Sequence, residues 1–273
     1  MPVTERRGKR GAYVSYKLGF VGMMRTELES DRWGTLKKMA EMGYQGFEGD
    51  FLIGTTDAET MENRRRLNDL GLECISLQCS HYKEDQLSAT ISNAQRLGAS
   101  YIVDGWAGPQ SDDELQSLTE QLERMATHCQ REGLRFLYHN HEHEFQPGFG
   151  KGQSECMFDL LYRGTEKLCF ELDIAWCHFG GVDPVTLLRR CGRRIPALHV
   201  KDLADDQRRG HFSVVGIGKV NCFGAIEAAV TKGANWIIVE QDWPGLLSEY
   251  ESAQASMFNI REAGLYPSLT GRI

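Results

Sequence analysis

The chain has 273 residues, 41% hydrophobic and 25% charged, with 31 Lys and Arg against 38 Asp and Glu for a formal net charge of −7. That composition excludes collagen-like, low-complexity and disordered chains. The acidic balance argues against nucleic acid as a partner, because a phosphate backbone needs clustered Lys and Arg. No apolar run approaches the roughly 18 residues that span a bilayer, so no membrane partner is expected.

From the N-terminus, residues 1–16 carry Arg6, Arg7, Lys9 and Arg10 and read as a flexible basic tail. Lys17 interrupts the apolar stretch that a signal peptide would need, so an exported form is not expected. The eight cysteines, from Cys74 to Cys222, contain no C-x-x-C pair. A chain of this size needs no disulfide staples, so they read as reduced thiols of a cytoplasmic protein.

After an opening strand at Leu18 to Gly22, a glycine recurs just ahead of each short apolar run. These are Gly43, Gly71, Gly98, Gly133, Gly164, Gly192 and Gly233, with Gly264 closing the last helix. Glycine is the residue that ends a helix in the left-handed conformation without a Cβ penalty. The spacing averages about 32 residues, each unit holding one helix pattern and one strand. Apolar spacing marks helices at Asp31 to Met42 and Ser111 to Arg131, and Asp183-Pro184 is a helix start. Eight such βα units match a closed (β/α)8 barrel, and residues 17–273 are expected to form that single α/β catalytic domain. The competing open sheet would carry G-x-G-x-x-G after its first strand, where this chain reads GFVGMMRTE.

In such a barrel the chemistry gathers where strands run into the following loops. Those positions hold Glu48 and Asp50, His81, Asp104 with Trp106, and the run His139-Asn-His141-Glu142-His143-Glu144. Further along they hold Glu171 and Asp173, His199-Val-Lys201-Asp202, and Glu240-Gln241-Asp242. Six of the eight histidines, including His178, lie at or near these ends. Gathering carboxylates and imidazoles is costly unless a cation neutralises them. Without thiolates the set suits Mn²⁺ best, with Mg²⁺, Co²⁺ or catalytic Zn²⁺ as alternatives. Asp173, His199 and Glu240 are the expected ligands on strands 6 to 8, while strand 5 offers Glu142 and Glu144. Glu171 and Asp173 lie two apart on one strand and face the same way, and a plain polar layer inside the barrel is the alternative reading of the pair. Gly216-Ile-Gly218-Lys219 lacks the G-K-[ST] ending of a phosphate loop and reads as an ordinary loop. Trp106, Trp176 and Trp243 suit a sugar-stacking wall or rim packing.

The segments YHNHEHEF (138–145), ELDIAW with GGVDP (171–184), LHVKD (198–202), GIGKVN (216–221) and VEQD (239–242) resemble the sugar phosphate isomerase/epimerase family of xylose-isomerase-like barrels. That family also includes inosose dehydratases. The resemblance runs from about Lys17 to Gly264. It implies a metal held by Glu144, Asp173, His199 and Glu240, with Glu144 preferred over Glu142, although many relatives carry Glu where His139 stands. It implies Glu144, Glu240, His141 and Lys201 as catalytic groups, and a sugar or polyol bound by Glu48, His81, Trp106, His139, Trp176, His178 and Asp202. The expected activity is metal-dependent isomerisation or epimerisation of a keto sugar through an enediolate. The alternative is elimination from a keto-inositol or 3-keto-glycoside. An abasic-site endonuclease would need extra zinc ligands and a basic face, and a non-catalytic sugar-binding barrel would take up no metal. A homo-oligomer is possible in such barrels.

Overall fold

The computed structural model describes residues 16–21, 24–79, 84–243 and 245–267. Its first strand, β1 (Lys17–Val21), pairs in parallel with β2 (Gly46–Phe47) and with the last strand, β8 (Trp236–Glu240). Beyond β8 follow β7 (Ala197–Val200), β6 (Cys169–Asp173), β5 (Arg135–His139) and β4 (Tyr101–Gly105), all parallel. β3 is split into Glu73–Cys74, which pairs with β2, and Ser76–Gln78, which pairs with β4. Chain continuity through Ile75 thus closes the cylinder, and the expected (β/α)8 barrel is what the chain forms.

Ten α-helices surround it among the described residues, more than one per unit because two βα connections carry a short extra helix. These are α1 (Arg25–Ser30) ahead of α2 (Arg32–Met42), and α7 (Ile174–Phe179) ahead of α8 (Pro184–Cys191). The others are α3 (Asp57–Asp69), α4 (Glu84–Leu97), α5 (Asp112–Arg131), α6 (Met157–Gly164), α9 (Cys222–Thr231) and α10 (Glu249–Glu262). Asp183 caps α8 ahead of Pro184, and Ser111 caps α5. Seven of the eight glycines in the repeat have positive φ. Gly164 does not, because it is the last residue of α6 and its Cα faces Thr119.

Strand alternation sorts the side chains. Outward residues such as Phe20, Phe136, Phe170, Leu198 and Val239 join the helices in the main core. Inward residues Ile75, Tyr101, Val103, Leu137, Ala197, Trp236 and Ile238 form a separate apolar plug inside the cylinder. Gly46 makes room for it, since a Cβ there would sit 2.5 Å from the Trp236 ring. Residues 1–15 of the expected tail lie outside the described residues, and Tyr16 donates its hydroxyl to the Leu265 carbonyl. All eight cysteines are free thiols.

Candidate active site

One pleat above the plug, the same inward alternation turns polar. Ile238 is followed by Glu240, Ala197 by His199 and Lys201, Leu137 by His139, and Cys169 by Glu171 and Asp173. The strand register sets His199 beside Asp173, and His139 beside Glu171. Ligand atoms of His139, Asp173, His199 and Glu240 all fall within 4.8 Å of one another. Glu48, Glu171 and His199 form a second group by the same measure, so His199 joins the two.

Glu171 organises the imidazoles. Its Oε2 lies 3.0 Å from His139 Nδ1 and 3.1 Å from His199 Nε2, and the side chain is fully buried. A carboxylate holding one ring nitrogen of each histidine fixes ring orientation and directs the other nitrogen into the cluster. His199 Nδ1 lies 2.9 Å from Glu240 Oε2. Asp173 is tied from two sides. Its Oδ1 accepts from the Ala175 and Trp176 amides as the cap of α7, and its backbone exchanges two bonds with the Asn140 side chain. The second oxygen, Oδ2, accepts no hydrogen bond and lies 3.2 Å from Lys201 Nζ. Lys201, 2% exposed, also reaches Glu240 at 2.9 Å and Asp242 at 2.8 Å.

Burial and neighbouring charge pull these groups in opposite directions. Burial raises Glu48, helped by the Glu171 carboxylate, to about 7. Burial also raises Glu171, yet His199 and His139 outweigh it and hold its carboxyl well below the usual range. For Glu240, Lys201 and His199 likewise outweigh burial and keep it ionised. Burial lowers His199, but Glu171 and Glu48 drive it well above an ordinary imidazole. Lys201 is held fully charged by Asp173, Glu240 and Asp242 against its desolvation. His141 goes the other way, lowered to about 3 by burial and by His139 and Lys201, and its Nδ1 has no hydrogen-bond partner.

Two joined chambers open above the cluster. The inner one, about 420 Å³, is lined by Glu48, Glu171 and His199 below and by Gln78, Asp104 and Trp106 around. The outer one, about 250 Å³, adds Trp176, Lys201, Arg209, Phe212 and Trp243. His139, His141, Trp106, Glu240 and Asp242 line both.

Several of the expected site residues stand away from the donor group. Glu144 is fully buried but outside the donor group. The 3₁₀ turn His143–Phe145 follows the strand, and it directs the carboxylate onto the Tyr138 hydroxyl (2.6 Å) and the His141 amide (2.8 Å). His139 stands in the strand 5 position instead. Asp202 faces away from the chambers and accepts the amides of Leu203, Gly216, Gly218 and Val220, pinning the 216–220 loop. His178 lines neither chamber and faces Asp206 at 3.7 Å. His81 lies outside the described residues. Glu171 is the residue of this cluster that reading by strand ends undervalued. Its signal was the i, i+2 spacing to Asp173, which places both on the inner face one layer apart.

Residues 36–262 match the model of the xylose isomerase-like TIM barrel family. An inosose dehydratase of Geobacillus kaustophilus is 28% identical over 250 residues, covering 76% of this chain and 79% of that protein. A sugar phosphate isomerase/epimerase structure from Parabacteroides distasonis superposes with a TM-score of 0.78 at 20% identity, over 94% of this chain and 98% of the other. The structure of an IOLI protein with a bound zinc atom superposes with a TM-score of 0.69 at 14% identity, covering 90% and 97%. At those identities the two structural likenesses speak for the fold. No helix among the described residues is long and apolar enough to cross a membrane.

Proposed function

The chain belongs to the xylose isomerase-like TIM barrel family, and from that premise we propose that it is a divalent-metal-dependent lyase acting on a cyclic keto-polyol. It would remove a proton beside the carbonyl and expel the oxygen substituent one carbon further on. The observation that carries this reading is the strand 5 substitution. With Glu144 turned onto Tyr138, the pair of acidic residues that would move a proton between two faces of one carbon loses a member.

The donor set fits a divalent cation. Glu171 Oε1 and Glu48 Oε2 are buried without hydrogen-bond partners, and Asp173 Oδ2 accepts none and faces only the Lys201 ammonium, a costly arrangement for a site that holds no further cation. His139, Asp173, His199 and Glu240 would hold the ion, and two imidazoles with two carboxylates suit Mn²⁺ first, with Co²⁺, Zn²⁺ or Mg²⁺ as alternatives. When bound, such an ion polarises a carbonyl as a Lewis acid.

The protein's own groups supply the proton movements. His141, kept neutral by burial and by its cationic neighbours, takes the C–H proton at its unpartnered Nδ1. Lys201 retains its charge and donates to the oxygen on which negative charge accumulates. The proton that His141 takes then passes to the departing oxygen, and Asp242, whose Oδ2 lies 2.8 Å from Lys201 Nζ, stands where the chambers join and orients that ammonium. Trp106 and Trp176 flank the ring. The inosose dehydratase relative supports elimination; the isomerase/epimerase neighbour supports the second reading, in which the proton returns to carbon. Incubating the Mn²⁺-loaded protein with 2-keto-myo-inositol and a panel of keto sugars in deuterium oxide separates them. Loss of 18 mass units or of a substituent fits the lyase, and deuterium uptake with all atoms retained contradicts it.

A further inference from the structure

The YHNHEHEF segment (138–145) gives the site more than the donor His139, because other side chains of it converge on residues 105–107 at the end of β4. The Tyr138 hydroxyl accepts from the Ala107 amide at 3.3 Å, and His143 Nε2 donates to the Ala107 carbonyl at 2.8 Å. Both backbone polar groups of Ala107 are thereby fixed. On the other side Gly105 packs against His139, where a Cβ would sit 2.9 Å from the His139 Cβ. Trp106 is bracketed between the two.

Trp106 has a φ of +94°, a conformation that bulky L residues rarely adopt. Burial does not offset the strain, since the residue is 53% exposed. A strained residue keeps its conformation only where the surrounding structure over-determines it, and such residues cluster at ligand sites. The indole stands edge-on to His141 with centroids 5.0 Å apart, lies 4.8 Å from His143, and lines both chambers. The bonds that hold it lead back to one carboxylate. Glu144, fully buried, accepts from the Tyr138 hydroxyl at 2.6 Å on Oε1 and from the His141 amide at 2.8 Å on Oε2. Its Oε1 also lies 3.3 Å from His143 Nε2. An apolar side chain at 144 would remove the acceptor of both groups.

We propose that Glu144 is a positioning residue for substrate: through Tyr138, His143 and the Ala107 peptide it locks Trp106 in its strained conformation as a fixed wall of the chambers. Through the His141 amide it also sets the ring that this wall meets. Its part is to shape the space beside the cation donors and not to hold the cation. The proposal takes the chambers as the substrate site of the reading above, and it is the same whether the proton ends on oxygen or on carbon.

The test uses the full chain loaded with Mn²⁺. Urea denaturation first compares Trp106→Gly with Trp106→Ala. Glycine accepts a positive φ freely, so the Gly variant is expected to unfold at the higher urea concentration, the reverse of the order at an unstrained position. In a Tyr138→Phe background, where the brace is cut, the Ala variant should again be the more stable. The near-ultraviolet circular dichroism of Trp106, taken as wild type minus Trp106→Ala, reports how firmly the indole is held. It should fall by about half or more in Glu144→Gln and in Tyr138→Phe, while Mn²⁺ affinity stays within about threefold of wild type. With 2-keto-myo-inositol, Glu144→Gln should raise KM at least about fivefold and leave kcat within about threefold. A Gly variant less stable than the Ala variant, or a Trp106 signal unchanged in both brace variants, would overturn the proposal. So would a loss of Mn²⁺ affinity in Glu144→Gln, or a collapse of kcat at constant KM. Failure of the reaction reading looks different: if the wild type leaves keto-inositol untouched, that reading falls, and denaturation and dichroism still decide the brace.

Discussion

The lower and upper halves of the barrel interior use the same strands and the same inward alternation, yet they are held together by opposite physics. Below, Ile75, Leu137, Ala197, Trp236 and Ile238 pack as an apolar plug that needs no partner beyond its own contacts. Above, Glu48, His139, Glu171, Asp173, His199, Lys201 and Glu240 occupy the next layer, and each depends on a neighbour's charge. The plug gives rigidity that is indifferent to what binds. The polar layer is stable only as a neutralised set, which ties its stability to a cation.

Substitutions in the two layers should therefore fail in different ways. Asp173→Ala has the largest expected effect. It removes a donor and the cap of α7 together, so Mn²⁺ uptake measured by calorimetry should vanish and turnover fall by on the order of a hundredfold or more. Next comes Lys201→Met, which leaves Asp173, Glu240 and Asp242 facing one another without their ammonium. Without metal it should lose about 3–5 kcal/mol of stability, the cost of breaking a buried ion pair. Mn²⁺ should then bind more tightly than in wild type, because a competing positive charge is gone, and denaturant melts with and without Mn²⁺ would show both. In the plug, Ile238→Ala should cost about 2–5 kcal/mol by chemical denaturation while leaving Mn²⁺ affinity within about threefold. A plug substitution that abolished metal uptake would break the contrast.

The smallest effect lies outside both layers and calibrates them. Glu249 is raised to about 7 by partial burial and by Glu27 beside it. The folded state thus binds a proton more readily than the unfolded chain. That contribution is most favourable below about pH 4.5 and is lost as pH rises through about 7. Glu249→Gln should therefore raise the melting temperature at pH 8 and lose its advantage near pH 4.5, modestly because the site is largely hydrated.

Much of this architecture is readable from residue order. The glycine repeat marks where helices end, and apolar runs such as Trp236-Ile-Ile-Val239 mark parallel strands covered on both faces. Asp173, His199 and Glu240 are visible because they fall at strand ends, where a barrel directs side chains to one cavity. Three features depended on geometry that spacing does not carry. Strand 5 stops at His139 and a 3₁₀ turn follows, so the alternation that would have placed Glu144 beside the other donors no longer applies. Lys201 points inward, so Asp202 points outward and becomes the anchor of a loop 14 to 18 residues downstream. Glu171 lies beside His139 and two residues ahead of Asp173 on β6, and its hold on two imidazoles appears only when β5, β6 and β7 are set side by side.

The central claim is that His139, Asp173, His199 and Glu240 hold one divalent ion with Glu144 set apart. Crystals of the Mn²⁺-loaded protein, measured on both sides of the manganese absorption edge, test it directly. The account predicts a single anomalous peak within bonding distance of all four side chains, with the Glu144 carboxylate still on the Tyr138 hydroxyl. A peak bonded to Glu144, or none within reach of Asp173 and His199, would contradict it.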